Sequence, residues 1–475
     1  MNETHNRFDY DVAILGGGSA GYAAARTAAD AGLRTVVIEG GAEVGGLCIL
    51  RGCMPTKALL YAAEVLHLAG RAGEWGVRVE KAGFDFAEVM ARKNTLIQEF
   101  ADYRREQLAG GKFKFIRAHA NFLDPHTVAV ANAVPLTAAH FVITTGSTVA
   151  PPPLPQLREV GYLTSDDVMK LAQLPKSLIV LGGGAVAVEL AQFFARFGVT
   201  VTLLQRSEHI LHEFDTDAAM EIEKVFLREG IEIFMNTKLT DARRDGQGKT
   251  ISFEHHGQLM SVSAEEILFA LGRVPNTASL DLDKAGVVTE RGRVVANEFM
   301  QTSAPHIYTA GDCTGPHAIV HLAVQQGEIA AHNIAHPDAL RRMDDRLLLA
   351  VMFTEPQVAF VGLTEKTAKA RDIPYLVASY PFNDHGKSLI MEARDGFVKL
   401  LADPQSGEIL GGACVGPVGG ELIHEIVAAM AKRMTVHELA ALPHYHPTLA
   451  EIWTYPAEAL AERIRASSGP SPAGS

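Results

Sequence analysis

The chain has 475 residues, 47% of them hydrophobic and 21% charged. That is too long for one hydrophobic core and, at about 150 residues per packed unit, predicts roughly three units of ordinary globular composition. A formal net charge of −12, with no block rich in lysine and arginine, argues against a nucleic-acid partner and against an acidic membrane surface.

The opening MNETHNRFDY lacks the basic start and apolar run of a signal peptide. No stretch reaches the roughly 18 apolar residues of a membrane span, so a cytoplasmic enzyme is expected. From Asp9 the chain reads as a β-rich run (YDVAIL), a glycine cluster, an alanine-rich helix (AGYAAARTAADAG) and a second β run (TVVIE), together one βαβ unit. The same order recurs from Ser177 as SLIVL, GGG, AVAVELAQFFARFG and VTVTLL. Between the two lies APPPLP at 150–155, which can continue neither a helix nor a central strand and predicts a domain crossing near 150. After about 345 the pattern becomes alternating strands (FVKLLAD, EILGGACVG) with an amphipathic helix (GGELIHEIVAAMAKRM), an α+β arrangement. The last ten residues, ASSGPSPAGS, read as a flexible tail.

Gly16, Gly18 and Gly21 satisfy G-x-G-x-x-G immediately after a strand and at the start of a helix, where backbone N–H groups and the helix dipole can hold a pyrophosphate. Glu39 ends the next strand at the spacing of an acid that accepts from an adenosine ribose, and its charge would repel a 2′-phosphate. FAD or NAD fits this site and NADP does not. In the second unit Gly182, Gly184 and Ala187 give G-x-G-x-x-A, and the spacing that leads from Gly16 to Glu39 leads from Gly182 to Gln205. The acid is replaced, and the next residue, Arg206, is a cation suited to a 2′-phosphate, so NADPH is expected here in preference to NADH. A merely solvated Arg206 would leave NADH acceptable.

Cys48 and Cys53 lie five residues apart in GGLCILRGCMPTK, with Pro55 placed to begin a helix and Lys57 on its first turn. The helix N-terminus with Arg51 and Lys57 is expected to lower the thiol pKa values, as reversible thiol–disulfide chemistry requires. The rival readings are a zinc site, for which Cys313 and Cys414 offer no second close pair, and two inert buried thiols. No metal is expected. A disulfide exchange also needs a proton shuttle, and His446, five residues before Glu451, is the candidate. Thr448 and Glu451 have the spacing of a capping box as well, which gives Glu451 a purely structural alternative.

GGLCILRGCMPTK resembles the active-site signature of the flavoprotein disulfide reductases, the family of dihydrolipoamide dehydrogenase, glutathione reductase and mercuric reductase. The resemblance continues in the family's order through TTGS (144–147), LGRVPN (271–276), TAGDCTG (309–315) and HYHPTLAE (444–451), covering nearly the whole chain. It implies an α/β fold with two Rossmann-like dinucleotide domains and an α+β dimerisation domain. The implied division is 1–149 with 276–345 for FAD, 150–275 for NAD(P), 346–465 for dimerisation and 466–475 as tail. It implies FAD contacts from Lys57, Thr145, Gly146, Gly311 and Asp312, a nucleotide contact from Gly272, and a Lys57–Glu189 pair beside the flavin. Glu189 has a bland alternative as a capping or solvated carboxylate.

By the same resemblance His446 is the base, Glu451 orients it, and both reach the cysteine pair of a second subunit in a homodimer. Electrons are then expected to run from NADPH through the flavin to Cys48 and Cys53, and on to a small-molecule or protein-bound disulfide. Cys53 would face the flavin and Cys48 the substrate. The substrate clues diverge. GPVGGELIHEIVAAM looks closest to dihydrolipoamide dehydrogenase, whereas the NADP-like site suits glutathione reduction. The presence of His446 and a tail without cysteine disfavour mercury. Leu47 and Leu50 replace the threonine and asparagine of many members, and Ala185 stands where a gating tyrosine often shields the flavin, which predicts a more open nicotinamide pocket. A flavin electron carrier or transhydrogenase is the alternative from another class, and it would need none of Cys48, Cys53 or His446.

Overall fold

The computed structural model describes residues 8–246 and 248–467. The first βαβ unit is built as its pattern predicts. Strand Tyr10–Leu15 pairs in parallel with Thr35–Glu39, and helix Ser19–Asp30 crosses between them. The run VAIL is fully buried because this strand is central: Lys114–Arg117 lies outside Thr35–Glu39, and Leu136–Ile143 flanks the other side. Strand Ile307–Thr309 joins Leu136–Ile143 in parallel, so the chain returns to this sheet after a long excursion. Helix Val320–Ala335 packs on Ser19–Asp30, and Gly327 permits the contact, since a Cβ there would overlap the Ala20 carbonyl.

The excursion is the second nucleotide-type unit. A parallel sheet runs in the order Glu232–Phe234, Thr200–Leu204, Ser177–Leu181, Glu266–Phe269, with helix Ala185–Arg196 behind the second glycine turn. A three-stranded antiparallel sheet, Thr237–Asp245, Gly248–His255 and Gln258–Ala264, follows. Entry and exit are tied together where Ser147–Val149 pairs antiparallel with Arg273–Pro275, and the proline-rich 150–155 leads directly out of that clasp.

The last unit is a five-stranded antiparallel sheet in the order Leu349–Met352, Gln357–Gly362, Ile409–Gly416, Phe397–Ala402, Leu376–Pro381. Helices Gly419–Ala431 and Thr454–Ser467 bury Ile423, Ile426, Leu460 and Ala461 in a core that also holds Trp453. Each such large apolar side chain contributes about 1.5–3 kcal/mol on burial. The Trp453 indole N–H donates to the Leu422 carbonyl at 3.1 Å, which fixes the short helix Ala450–Trp453 that carries Glu451. The predicted tail needs correction at its start: Ala466 and Ser467 close the last helix, and 468–475 lie outside the described residues. No helix among the described residues is long and apolar enough to cross a membrane.

Candidate active site

Gly16 sits at φ +112°, and a Cβ there would overlap the Thr144 carbonyl; one on Gly21 would overlap the Gly16 carbonyl. The first glycine turn therefore tolerates no side chain at either position, and Gly18 precedes the helix that opens at Ser19. Glu39 ends its strand with one oxygen accepting from the Gly17 N–H at 2.7 Å and the other from the Gly41 N–H at 2.5 Å. Ser147 donates to Asp312 at 2.6 Å and accepts from the Arg273 guanidinium at 2.8 Å. The hydroxyl of Thr145 is buried without a hydrogen-bond partner among the described residues, beside Gly146 at φ +70°. Gly311 turns at φ +82° to present Asp312. A turn closed to side chains, an orphaned buried hydroxyl and an anchored aspartate, each just past the C-terminal end of one of three neighbouring parallel strands, fit a bound FAD. Ser147 and Arg273 were legible only as letters inside TTGS and LGRVPN; their contact depends on the clasp of two strands far apart in sequence.

The second turn repeats the first. Gly182 has φ +112° and would meet the Ala270 carbonyl with a Cβ, Gly184 caps the helix, Ala187 is fully buried, and Gly272 turns at φ +109°. Gln205 occupies the place of Glu39, but its amide is folded onto the loop: its carbonyl oxygen accepts from the Arg206 N–H at 3.0 Å and its amide donates to the His209 carbonyl at 3.2 Å. Arg206 is exposed.

The cysteine segment packs directly on the first glycine turn, because Gly46, at φ +78°, brings its backbone so close that a Cβ would stand 2.7 Å from the Gly18 Cα. Cys48 lies in the short helix Gly46–Leu50, and Cys53 opens the long helix Cys53–Gly70. The helix thus begins two residues earlier than Pro55 indicated, which places the Cys53 thiol at the positive end of the dipole. A second correction concerns charge. Arg51 is turned to Asp166 at 3.3 Å, and the cations that act on the thiols are Lys57 and, on the Cys48 side, Arg104. The two thiols separate rather than falling together: Cys53 is pulled down to about 7, first by the hydrogen bond from Cys48 and then, against burial, by Lys57. Cys48 is pushed well up by the bond it gives to Cys53 and by burial.

Lys57 contacts both oxygens of Glu189, at 2.9 and 3.1 Å. Glu189 projects from the second unit's helix, is only 3% exposed, and also accepts from the Phe353 N–H at 2.9 Å. The Phe353 ring lies 4.7 Å beneath the Lys57 ammonium. The capping reading of Glu189 is thereby set aside, and Phe353 emerges as a third partner that no motif announced. Cys313 and Cys414 are fully buried.

His446 is 78% exposed, and its Nδ1 stands 3.0 and 3.2 Å from the oxygens of Glu451. The capping box forms only by half. The Glu451 N–H reaches the Thr448 hydroxyl at 3.4 Å, while the Glu451 carboxylate turns to His446 instead of the Thr448 backbone. His444 is engaged elsewhere, its Nε2 donating to Glu425 at 2.7 Å.

Two dinucleotide turns, a dithiol packed against the first of them and an ion pair joining the dithiol helix to the second define a flavin- and nicotinamide-linked redox enzyme. Residues 10–327 match the sequence profile described as pyridine nucleotide-disulphide oxidoreductase, and 349–457 match its dimerisation domain. The chain belongs to this family of NAD(P)H-dependent flavoprotein disulfide oxidoreductases, which use FAD, and it carries the family's dimerisation domain. It is 34% identical to a dihydrolipoyl dehydrogenase of Geobacillus stearothermophilus over 93% of this chain and 94% of that one. It is 33% identical to a mercuric reductase of Staphylococcus aureus over 93% of this chain and 81% of that one. The crystal structure of LpdA from Mycobacterium tuberculosis superposes with a TM-score of 0.85 at 28% identity, covering 94% of this chain and 99% of that one.

Proposed function

We propose that the protein reduces a disulfide of the lipoamide type with NADPH, working through Cys48 and Cys53. In this reading residues 1–149 and 276–345 hold FAD, 150–275 hold the nicotinamide nucleotide, and 346–465 pair two subunits. Bound FAD supplies a two-electron acceptor between the nicotinamide hydride and the cysteine pair. Gly16, Gly18, Gly21, Glu39, Thr145, Gly146, Gly311 and Asp312 hold it, while Lys57, locked by Glu189, places a fixed positive charge beside the dithiol.

The unequal thiols carry the assignment. The Cys48 hydrogen bond and Lys57 hold the Cys53 pKa down, whereas the Cys48 thiol, pushed up by the same bond and by burial, needs a base before it can act as a nucleophile. His446 of the second subunit takes the Cys48 proton, and Cys48 attacks one sulfur of the substrate disulfide. The leaving thiolate recovers that proton from His446. Cys53 then attacks the Cys48 sulfur of the mixed disulfide, so the second substrate thiolate leaves, takes a proton from solvent, and the Cys48–Cys53 bond reforms with two electrons transferred. Exposure of His446, together with its bond to a mostly buried carboxylate, supports its service in trans.

Gly182, Gly184, Ala187 and Gly272 form the nucleotide turn. The exposed guanidinium of Arg206 beside the neutral Gln205 supports a 2′-phosphate and hence NADPH over NADH. Rates with lipoamide, oxidised glutathione and mercuric ion, each driven by NADPH and by NADH, test the proposal. Fastest turnover with lipoamide and NADPH is expected. Turnover of mercuric ion alone would replace it with a reading as a mercuric-reductase-like enzyme, and a Cys48→Ser variant that still reduced disulfides would remove Cys48 from the mechanism.

A further inference from the structure

Beyond His446, the Glu451 carboxylate has a second neighbour. His385 lies between the turn Phe382–Asp384 and the short helix Gly386–Ile390, 66 residues before Glu451 in sequence, and is completely buried. Its Nε2 stands 3.4 Å from the Glu451 Oε1 without forming a hydrogen bond to it, and no group among the described residues hydrogen-bonds that nitrogen. On the far side of the ring Nδ1 is 2.8 Å from the Ser388 hydroxyl. The Tyr455 ring meets the imidazole edge-on at 6.3 Å and is itself stacked on Tyr380, whose hydroxyl donates to Asp384.

We propose that His385 is a positioning residue for the acid–base group, its unpartnered Nε2 closing on Glu451 in the working enzyme and donating to it, so that the carboxylate is held between two imidazoles and aims His446. This rests on the reading of His446 as the base. An ionised carboxylate only accepts, so Nε2 carries the proton; the neutral ring then accepts at Nδ1 from the Ser388 hydroxyl. Burial holds the His385 pKa down, against the pull of Glu451, which keeps the ring neutral. A neutral donor draws off part of the Glu451 charge. The carboxylate, held from both sides, aims His446 toward the thiols with which it exchanges a proton. The groups facing this relay are His385, Ser388, Tyr455, Tyr380 and Asp384 around the buried side, and solvent around His446.

The test compares His385→Leu, His385→Gln and Ser388→Ala in the FAD-loaded protein. Two readouts apply: the rate of reduction by dihydrolipoamide from about pH 5.5 to about pH 8.5, and the His446 pKa from its C2 hydrogen–deuterium exchange by mass spectrometry. In His385→Leu the His446 pKa should rise by about half a unit or more and the dithiol rate fall about tenfold, while reduction by NADPH is unchanged. His385→Gln, whose amide restores a donor near the Nε2 position, should recover the wild-type pKa, and Ser388→Ala should shift it less but in the same direction. Should His385→Leu fold poorly, the Gln and Ala variants carry the comparison. An unmoved His446 pKa in His385→Leu, or equal losses in the Leu and Gln variants, would overturn the role of His385. A His446→Gln variant with a normal dithiol rate would instead overturn the reading of His446 itself.

Discussion

Replacing Glu189 with glutamine removes one charge from the centre of the site and leaves its shape. Lys57 at 2.9 Å and the Phe353 N–H at 2.9 Å both point at this carboxylate, which is nearly inaccessible to water. In the native protein Glu189 works against Cys53 ionisation, whereas Lys57 favours it. With the carboxylate neutral, the Lys57 charge is no longer balanced, and the Cys53 pKa should fall from about 7 by about half to one unit. The contact between the cysteine helix, the second unit and Phe353 should weaken by about 1–2 kcal/mol, because the bond of a half-buried ammonium to a buried anion becomes one to a neutral amide. The assay is iodoacetamide alkylation of the reduced enzyme across pH. Trypsin cuts after Arg51, so Cys48 and Cys53 report in separate peptides. A Cys53 pKa that rises, or stays in place, in Glu189→Gln would refute the argument that Lys57 and Glu189 set the thiolate between them.

Arg206→Ala should raise the KM for NADPH about tenfold or more and leave that for NADH within about twofold, in initial-rate measurements with each nucleotide. Gly21→Ala forces a Cβ into the Gly16 carbonyl, so the purified variant should be colourless or lose FAD on gel filtration, read as absorbance near the flavin band. Lys399 is buried among Asp215 at 2.8 Å, Asp217 at 2.8 Å and Glu365 at 3.1 Å, and joins the second unit to the last sheet. Burial would push Asp215 up, but Lys399 and the backbone N–H groups of Lys366 and Glu365 hold it below the usual carboxylate range. A depressed pKa adds stability that is present above the ordinary value and lost as pH falls through the folded one. Lys399→Met removes the Lys399 share of that stability, so the variant should be less stable than the parent at neutral pH, and the gap should narrow as pH falls, in denaturant unfolding followed by circular dichroism.

The parts of this molecule that a reader of the sequence could foresee are those whose physics is local. Both glycine turns announce themselves because strand, turn and helix are contiguous, and Gly16 and Gly182 adopt the same φ for the same reason. The cysteine pair is equally local, yet its electrostatics were not: Arg51 is drawn away by Asp166, more than a hundred residues distant, and the thiols diverge because one hydrogen-bonds the other. Lys57 and Glu189 were reachable only through a family resemblance, since 132 residues separate them. Phe353 and His385 had no signal at all. Each is an ordinary residue of the last unit whose role arises when that unit folds against, or around, a carboxylate from elsewhere in the chain.

The claim beneath the whole account is that two of the four cysteines cycle between a bond and a pair of thiols during turnover. Titration of the air-oxidised holoenzyme with a thiol reagent in denaturant should find two free thiols, Cys313 and Cys414, and the same titration after anaerobic NADPH should find all four. A thiol count that nucleotide leaves unchanged would contradict it.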